Sequence, residues 1–164
     1  MLVGTLAPET ERDDVMVVET NIDDMNPEIH PYLIEKLLAS GALDAYLTPV
    51  IMKKGRPGVL LTALVGHANL DTIIRCMHTE TSTLGVRISP CSRRKLPRTE
   101  RTLQTSLGPV RVKIVTRNGI ETFVPEFEEC RRIAAEHSLP LIDVYRAIER
   151  TAQQGPASSL SKPE

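Results

Sequence analysis

The order of apolar patterns between Val15 and Ile88 restricts the fold of this chain more than any other feature of its sequence. In some segments every second residue is apolar, which is typical of a strand with one buried face. In others the apolar residues lie three or four apart, which is typical of an amphipathic helix. The patterns predict the order strand, helix, strand, strand, helix, strand. These six segments begin near Val15, Asn26, Ala45, Val59, Asn69 and Val86.

This order predicts an α+β chain with a ferredoxin-like βαββαβ core, in which a four-stranded antiparallel sheet carries two helices on one face. Pro49 has no amide hydrogen for a ladder, so we expect the second strand to be an edge strand or to be bulged. Gly108 and Pro109 separate two alternating segments, which predicts an added β-hairpin that extends the sheet. Helical spacing on both sides of Ser138 to Pro140 predicts two C-terminal helices.

Both ends of the chain have compositions that are typical of segments outside a folded core. Residues 1–14 mix Gly, Pro, Thr and acidic residues with little periodicity, and we interpret them as a linker or tail. An interdomain linker at this place would make the chain the C-terminal part of a longer protein. Residues 154–164 are rich in Gly, Pro and Ser, which predicts a disordered tail. We therefore expect one domain over residues 15–153.

Composition argues against several classes of partner. Aromatic residues make up 3% of the 164 residues and tryptophan is absent, so we expect no base-stacking surface for nucleic acid. The formal net charge of −1 provides no long-range field toward a membrane surface, and no run approaches the roughly 18 apolar residues of a membrane span. Three separated cysteines without a Cys-x-x-Cys pair favour a reducing, cytoplasmic location.

The first predicted strand ends in two carboxylates, Asp23 and Asp24. Glu19 and Asn21 lie on the same strand face as Asp23, so several hard oxygen ligands collect at one sheet edge. Such a cluster suits Mg²⁺ or Mn²⁺. The alternative is that the aspartates, together with Asn26, only cap the first helix and complement its dipole.

A basic turn follows the second predicted strand and contains Lys53, Lys54 and Arg56. Gly55 and Gly58 allow backbone amides to approach an anion closely, and the cations supply charge for phosphate or carboxylate. The alternative is an ordinary solvated turn.

The second predicted helix ends in a segment rich in hydroxyl groups, followed by an arginine. Thr81, Ser82, Thr83 and Arg87 can all bind phosphate or ribose oxygens. Alternatively, the hydroxyls satisfy the last carbonyls of the helix, with Gly85 in a left-handed cap. No Ser-His-Asp or Cys-His pair can be assembled from the spacing, so the catalytic residues stay unassigned.

Four segments, in this order along the chain, resemble the C-terminal domain of LarC-type nickel-insertion proteins. They are ETNIDD at 19–24, MKKGRPG at 52–58, ETSTLGVR at 80–87 and PEFEEC at 125–130. The resemblance extends over about residues 15–153. The agreement of four separate motifs in order is more specific than that of any one of them.

The resemblance implies a role in making the nickel-pincer nucleotide cofactor of lactate racemase and its relatives. Nickel is the substrate metal, inserted into pyridinium bisthiocarboxylate mononucleotide with formation of nickel-sulfur and nickel-carbon bonds. Members of the family consume CTP with Mn or Mg, and their C-terminal domain binds the metal-CTP complex. The resemblance therefore implies a CTP-dependent nickel insertase of the lyase class that forms a homo-oligomer. The resemblance covers only the C-terminal domain, so we expect the family's N-terminal domain to lie outside this chain.

On this sequence, the resemblance places the divalent cation on Asp23 and Asp24 and the triphosphate on Lys53, Lys54 and Arg56. The nucleotide pocket would be completed by Thr81, Ser82, Thr83 and Arg87. Without the N-terminal domain, we expect nucleotide binding to persist and full insertion activity to fail. The alternative functions are a non-catalytic ferredoxin-like regulatory module for a small ligand and a purely structural oligomerisation module.

Overall fold

A computed structural model describes residues 10–117 and 119–153 of the chain. The predicted tail at residues 154–164, and residues 1–9 of the predicted linker, lie outside the described residues. The described residues divide into two compact units. The first unit is Arg12–Arg94, and the second is formed by the described residues outside that range.

The first unit contains the six elements that the apolar patterns predict, together with three short 3-10 helices at Pro27–Ile29, Lys53–Gly55 and His67–Asn69. The bounds are β1 Glu11–Ile22, α1 His30–Ala39, β2 Ala42–Ile51, β3 Pro57–Val65, α2 Leu70–Glu80 and β4 Arg87–Lys95. The strand order in the sheet is β2-β3-β1-β4, and β3 pairs antiparallel with both β1 and β2. The predicted ferredoxin-like core is therefore confirmed, with β2 and its Pro49 at an edge as expected. β1 begins at Glu11, earlier than the predicted start at Val15.

One face of this sheet buries the apolar sides of α1 and α2. Because side chains alternate between the faces of a strand, every second residue of β1 and β3 points into the same core. Leu33 and Leu37 of α1 lie on one apolar stripe, as do Ile73 and Met77 of α2. The core contains Val18, Ile22, Leu33, Leu37, Leu61, Ala63, Val65, Ile73 and Met77, all at most 3% exposed.

Local signals account for both ends of α1. Asn26 accepts a hydrogen bond from the amide of Glu28 at 3.1 Å and caps the 3-10 helix Pro27–Ile29 that leads into α1. Pro31 falls in the first turn of α1, where no intrahelical amide bond is lost. Gly41, with φ of 98°, ends the helix in a conformation that other residues rarely adopt.

The predicted hairpin forms, but it does not extend the four-stranded sheet. Its strands, β5 Arg98–Thr105 and β6 Gly108–Arg117, join a third strand, β7 Ile120–Pro125, in a separate sheet of order β5-β6-β7. The prediction of an extended sheet was therefore wrong. The reason is that this sheet has its own apolar face to bury, which packs against the two C-terminal helices.

The two predicted C-terminal helices are present as α3 Phe127–His137 and α4 Leu141–Gln153. Ser138, with φ of 52°, ends α3 in the left-handed region. The helices and the sheet bury one cluster that contains Leu103, Val110, Val112, Cys130, Ile133, Val144 and Ile148. Among the described residues, no helix combines the length and the apolar character that a membrane span requires.

Candidate functional site

Sheet topology places the acidic and basic motifs at the same edge of the first unit. Because β1 and β2 both run antiparallel to β3, they run parallel to each other and end at the same side of the sheet. The register pairs Ile22 with Val59 and Ile51 with Pro57. The acidic pair, Asp23 and Asp24, therefore emerges beside the basic turn of residues 53–56.

A direct ion pair joins these two motifs. Nη1 of Arg56 lies 3.3 Å from Oδ2 of Asp23 and donates a hydrogen bond to it. The Asp23 side chain is 19% exposed, whereas that of Arg56 is 59% exposed. The carboxylate is thus held by the protein at the strand end, and the guanidinium reaches it from the solvent side.

The basic turn has a tight backbone. Gly55 donates to the carbonyl of Met52 at 3.2 Å, and the Met52 amide donates to the carbonyl of Arg56 at 2.8 Å. Lys54 has φ of 61° and Gly55 has φ of 70°, so two successive residues are left-handed. A lysine in this region is uncommon and carries a conformational cost of about 1 kcal/mol or more. Lys53 and Lys54 are exposed and make no ion pair with a described residue.

Gly58 is required by the close approach of β1 and the basic turn. A Cβ atom there would lie 2.6 Å from the Ile22 carbonyl oxygen, 2.8 Å from Sδ of Met52 and 3.3 Å from Cβ of Asp23. We predicted that this glycine admits an anion to the backbone. In the structure, the missing side chain of Gly58 leaves room for the backbone at the end of β1. This packing sets the distance between the acidic pair and the basic turn.

The hydroxyl segment after α2 is tied to β1 by its side chains. Ser82 donates a hydrogen bond to Asp24. Thr83 lies 2.5 Å from the hydroxyl of Thr20 and donates to the Gly85 carbonyl at 2.9 Å. Thr81 donates to the Met77 carbonyl at 2.7 Å, so its hydroxyl satisfies the end of α2, as the alternative interpretation predicts. Ser82 alone of the three predicted hydroxyls contacts the acidic pair.

Arg87, at the start of β4, lies beside Glu19 of β1. Its Nε is 4.0 Å from Oε2 of Glu19, which also accepts a hydrogen bond from Thr62 through its other oxygen at 3.3 Å. Glu19 lies on β1, four residues before Asp23, which directly follows the strand; four residues of extended chain span about 13 Å. The side-chain contacts thus join Arg56 to Asp23 and Ser82 to Asp24, while Arg87 lies beside Glu19.

Thr20 anchors the hydroxyl segment to β1, a contact that sequence analysis missed. It is 2% exposed on the core face of β1, and its hydroxyl donates to the Gly85 carbonyl at 3.0 Å while also contacting Thr83. A threonine among the apolar core-facing positions of a strand is the only signal in the sequence. Its partners lie more than sixty residues away and could not be identified from spacing.

The donor set at the sheet edge fits a divalent cation that is shared with phosphate. Within residues 10–117 and 119–153, no group of three or more His, Cys, Asp or Glu residues is placed to hold a metal ion. Asp23 and Asp24 supply two hard carboxylates, and Mg²⁺ is commonly bound by one or two carboxylates with water and substrate phosphates as the other ligands. With the three cations Lys53, Lys54 and Arg56, these two carboxylates give the group a net charge of +1. The arrangement suits a polyanion that carries its own cation.

Comparisons with known proteins agree with the motifs. The family model described as nickel insertion protein matches residues 2–145. A protein of Geotalea daltonii that carries the same family name is 48% identical over 92% of this chain and 39% of its own length. The pyridinium-3,5-bisthiocarboxylic acid mononucleotide nickel insertion protein of Acetivibrio thermocellus is 42% identical over 88% of this chain and 36% of its own length. The chain thus spans less than half the length of these relatives.

Two solved structures are similar in fold. One is LarC2, the C-terminal domain of a cyclometallase involved in the synthesis of the NPN cofactor of lactate racemase, in its apo form. It matches with a TM-score of 0.79 and 35% identity over 88% of this chain and 100% of that chain. A protein from Methanopyrus kandleri matches with a TM-score of 0.58 and 27% identity, over 81% of this chain and 85% of its own.

Proposed function

Because this chain belongs to the nickel insertion protein family, we propose that it is the CTP-binding part of an enzyme that makes the nickel-pincer cofactor. In this proposal the complete enzyme inserts nickel, as substrate, into pyridinium bisthiocarboxylate mononucleotide. The described residues bind CTP together with Mn²⁺ or Mg²⁺ at the edge of the four-stranded sheet.

The observation that carries this proposal is the meeting of the acidic pair with the basic turn. Arg56 and Asp23 are 33 residues apart in the chain, yet their side chains lie 3.3 Å apart. Either motif alone would be explained by a helix cap or a solvated turn. Placed side by side, they provide oxygen ligands for a cation and positive charge for the phosphates of the same ligand.

Each group at the sheet edge has a defined task in this proposal. Asp23 and Asp24 hold the divalent cation, which when bound neutralises charge on the phosphate oxygens. Lys53, Lys54 and Arg56 orient the triphosphate. Chemistry of this kind depends mainly on placement and charge neutralisation, so the site needs no activated nucleophile. Ser82 completes this end of the site, and the proposal assigns Thr81, Thr83 and Arg87 to the nucleoside part of the pocket.

Nickel insertion requires the remainder of the protein in this proposal. The chain corresponds to 39% and 36% of the length of the two relatives described above. The partners we propose are therefore the N-terminal domain of the same protein, the pyridinium mononucleotide substrate and further copies in a homo-oligomer. This chain by itself is expected to bind the nucleotide without inserting nickel.

Calorimetric titration of the chain with CTP in the presence of Mn²⁺ tests the proposal. We expect saturable binding that Lys54→Ala weakens by about tenfold or more, because one phosphate-binding cation is lost. Arg94→Ala is the matched control, since Arg94 is also exposed and makes no ion pair with a described residue. Absence of binding, or equal loss in both variants, would contradict the proposed site.

A second measurement separates an enzyme from a regulatory module. The complete protein, incubated with CTP, Mn²⁺, nickel and the mononucleotide substrate, is expected to release pyrophosphate. Binding of CTP without turnover under these conditions would instead favour a non-catalytic ligand-binding module.

A further inference from the structure

Arg56 belongs to the basic turn, yet its guanidinium pairs with a member of the acidic pair. Its Nη1 lies 3.3 Å from Oδ2 of Asp23. Lys53 and Lys54 in the same turn make no ion pair with a described residue. The three cations of the turn are therefore not equivalent, because Arg56 alone among them is bound to a predicted cation ligand.

The Arg56–Asp23 ion pair opposes cation binding in two ways. The carboxylate oxygen that accepts from Arg56 has less capacity to coordinate a metal ion. The guanidinium also places a positive charge beside the position that a divalent cation would take. A cation that coordinates Oδ2 of Asp23 therefore displaces Arg56, and a cation on the other oxygen of Asp23 is repelled by the neighbouring guanidinium.

Burial indicates which partner moves. The side chain of Asp23 is 19% exposed and sits at the end of β1, beside Gly58. The side chain of Arg56 is 59% exposed, so its guanidinium can leave the pair into solvent without disturbing the core. Ion pairs as exposed as this one are weak, which makes the exchange readily reversible.

We propose that Arg56 exchanges partners: it binds Asp23 in the ligand-free protein and turns to phosphate oxygens when a divalent cation takes Asp23. This inference rests on the proposed function. It adds a mechanism that couples binding of the divalent cation to binding of the phosphate groups. Asp23 is neutralised in both states, first by the guanidinium and then by the cation. The planar guanidinium, which can bind phosphate through two parallel hydrogen bonds, becomes available when the cation is present. The affinities for cation and phosphate are then linked reciprocally.

The exchange predicts effects of opposite sign for Arg56→Gln. Affinity for Mn²⁺ alone should rise by about fivefold or more, because a competing partner and a nearby positive charge are both removed. Affinity for CTP in the presence of Mn²⁺ should fall by about tenfold, because a phosphate-binding group is lost. Electron paramagnetic resonance of free Mn²⁺ measures the first affinity, and calorimetry measures the second. General damage to the site would lower both affinities.

Lys53→Gln is the matched control, because it removes one positive charge from the same turn without freeing a carboxylate. It should weaken CTP binding while changing the affinity for Mn²⁺ alone by about twofold or less. The exchange is overturned if Arg56→Gln binds Mn²⁺ no better than wild type, or if neither protein binds Mn²⁺ alone. If wild type binds Mn²⁺ but not CTP, the proposed function fails, and the comparison on Mn²⁺ alone still decides whether Arg56 competes for Asp23.

Discussion

Replacing Gly58 with alanine tests whether the close approach of β1 and the basic turn sets the geometry of the site. The added Cβ would lie 2.6 Å from the Ile22 carbonyl oxygen, well inside a normal contact. That oxygen belongs to the backbone of a central strand and cannot rotate away as a side chain would. Either the end of β1 or the turn must shift by several tenths of an ångström, and overpacking of this kind costs about 1–3 kcal/mol.

Gly66→Ala provides the reference for the effect of alanine itself. Gly66 has φ of −70°, and nothing lies within 4 Å of a Cβ built on it. Alanine there is expected to be neutral or to stabilise by about 0.4–1 kcal/mol, since it restricts the unfolded chain. Comparing the two variants isolates the contact with Ile22 from the general effect of removing a glycine.

Thermal and urea unfolding, followed by circular dichroism, measure the two variants. For a unit of this size each kcal/mol corresponds to a shift in Tm of about 4–8 °C, so Gly58→Ala should melt clearly below wild type. CTP binding should weaken as well, because Asp23 and Arg56 are carried by the two segments that separate. A Gly58→Ala protein as stable as Gly66→Ala would refute the packing argument.

Three further outcomes follow from burial and charge. Leu37→Ala, at a fully buried position, should destabilise the first unit by about 2–5 kcal/mol in urea unfolding, whereas Leu84→Ala, at a position 99% exposed, should change stability by less than about 0.5 kcal/mol; equal effects would contradict the assigned core. Desolvation raises the pKa of the Cys130 thiol and that of the adjacent Tyr145, so the folded protein keeps protons that the unfolded chain releases. The contribution of this pair to stability is therefore full below the unfolded thiol pKa of about 8.5 and is lost as pH rises through the raised pKa values of the folded protein. The urea midpoint of wild type should fall between pH 8 and 10, and Cys130→Ser should make this fall shallower. An equally steep fall in the variant would contradict the predicted direction. Cys91, which is partly exposed, should react with iodoacetamide at pH 8 before the buried Cys130. Mass spectrometry of the labelled peptides measures the order of labelling, and earlier labelling of Cys130 would contradict its burial.

Sequence alone identified the secondary structure of the first unit, because hydrophobic period is a property of consecutive residues. The apolar stripes of α1 and α2 each depend on residues within one or two turns of each other. The ferredoxin-like order followed from these local patterns, and the missing amide of Pro49 limited β2 to an edge or bulged strand, of which the structure shows the edge. The four motifs identified the family for the same reason, since each is a short continuous segment.

The separate sheet of the second unit could not be obtained in this way. Alternation in β5 and β6 reveals one buried face per strand, and it does not reveal which helices cover that face. Phe123 is the only partly buried apolar residue of β7 in the cluster, so this short strand has a weak pattern of its own. Which strands pair depends on segments that are far apart in the chain. Here α3 and α4 cover the apolar face of β5, β6 and β7 and so stabilise a separate sheet.

The contacts of the site likewise belong to tertiary structure. Sequence analysis named Asp23 and Arg56 as candidate ligands of a cation and of phosphate, but the ion pair between them depends on the register of β3 against both β1 and β2. The requirement for Gly58 arises from the same pairing, and the hydroxyl contact of Thr20 depends on where the segment after α2 meets β1. Residue chemistry is local and can be read from the chain, whereas distance across a sheet is fixed by which faces are buried together. Sequence therefore determined the groups that are available, and the pairing of β3 with both β1 and β2 decided that Asp23 meets Arg56.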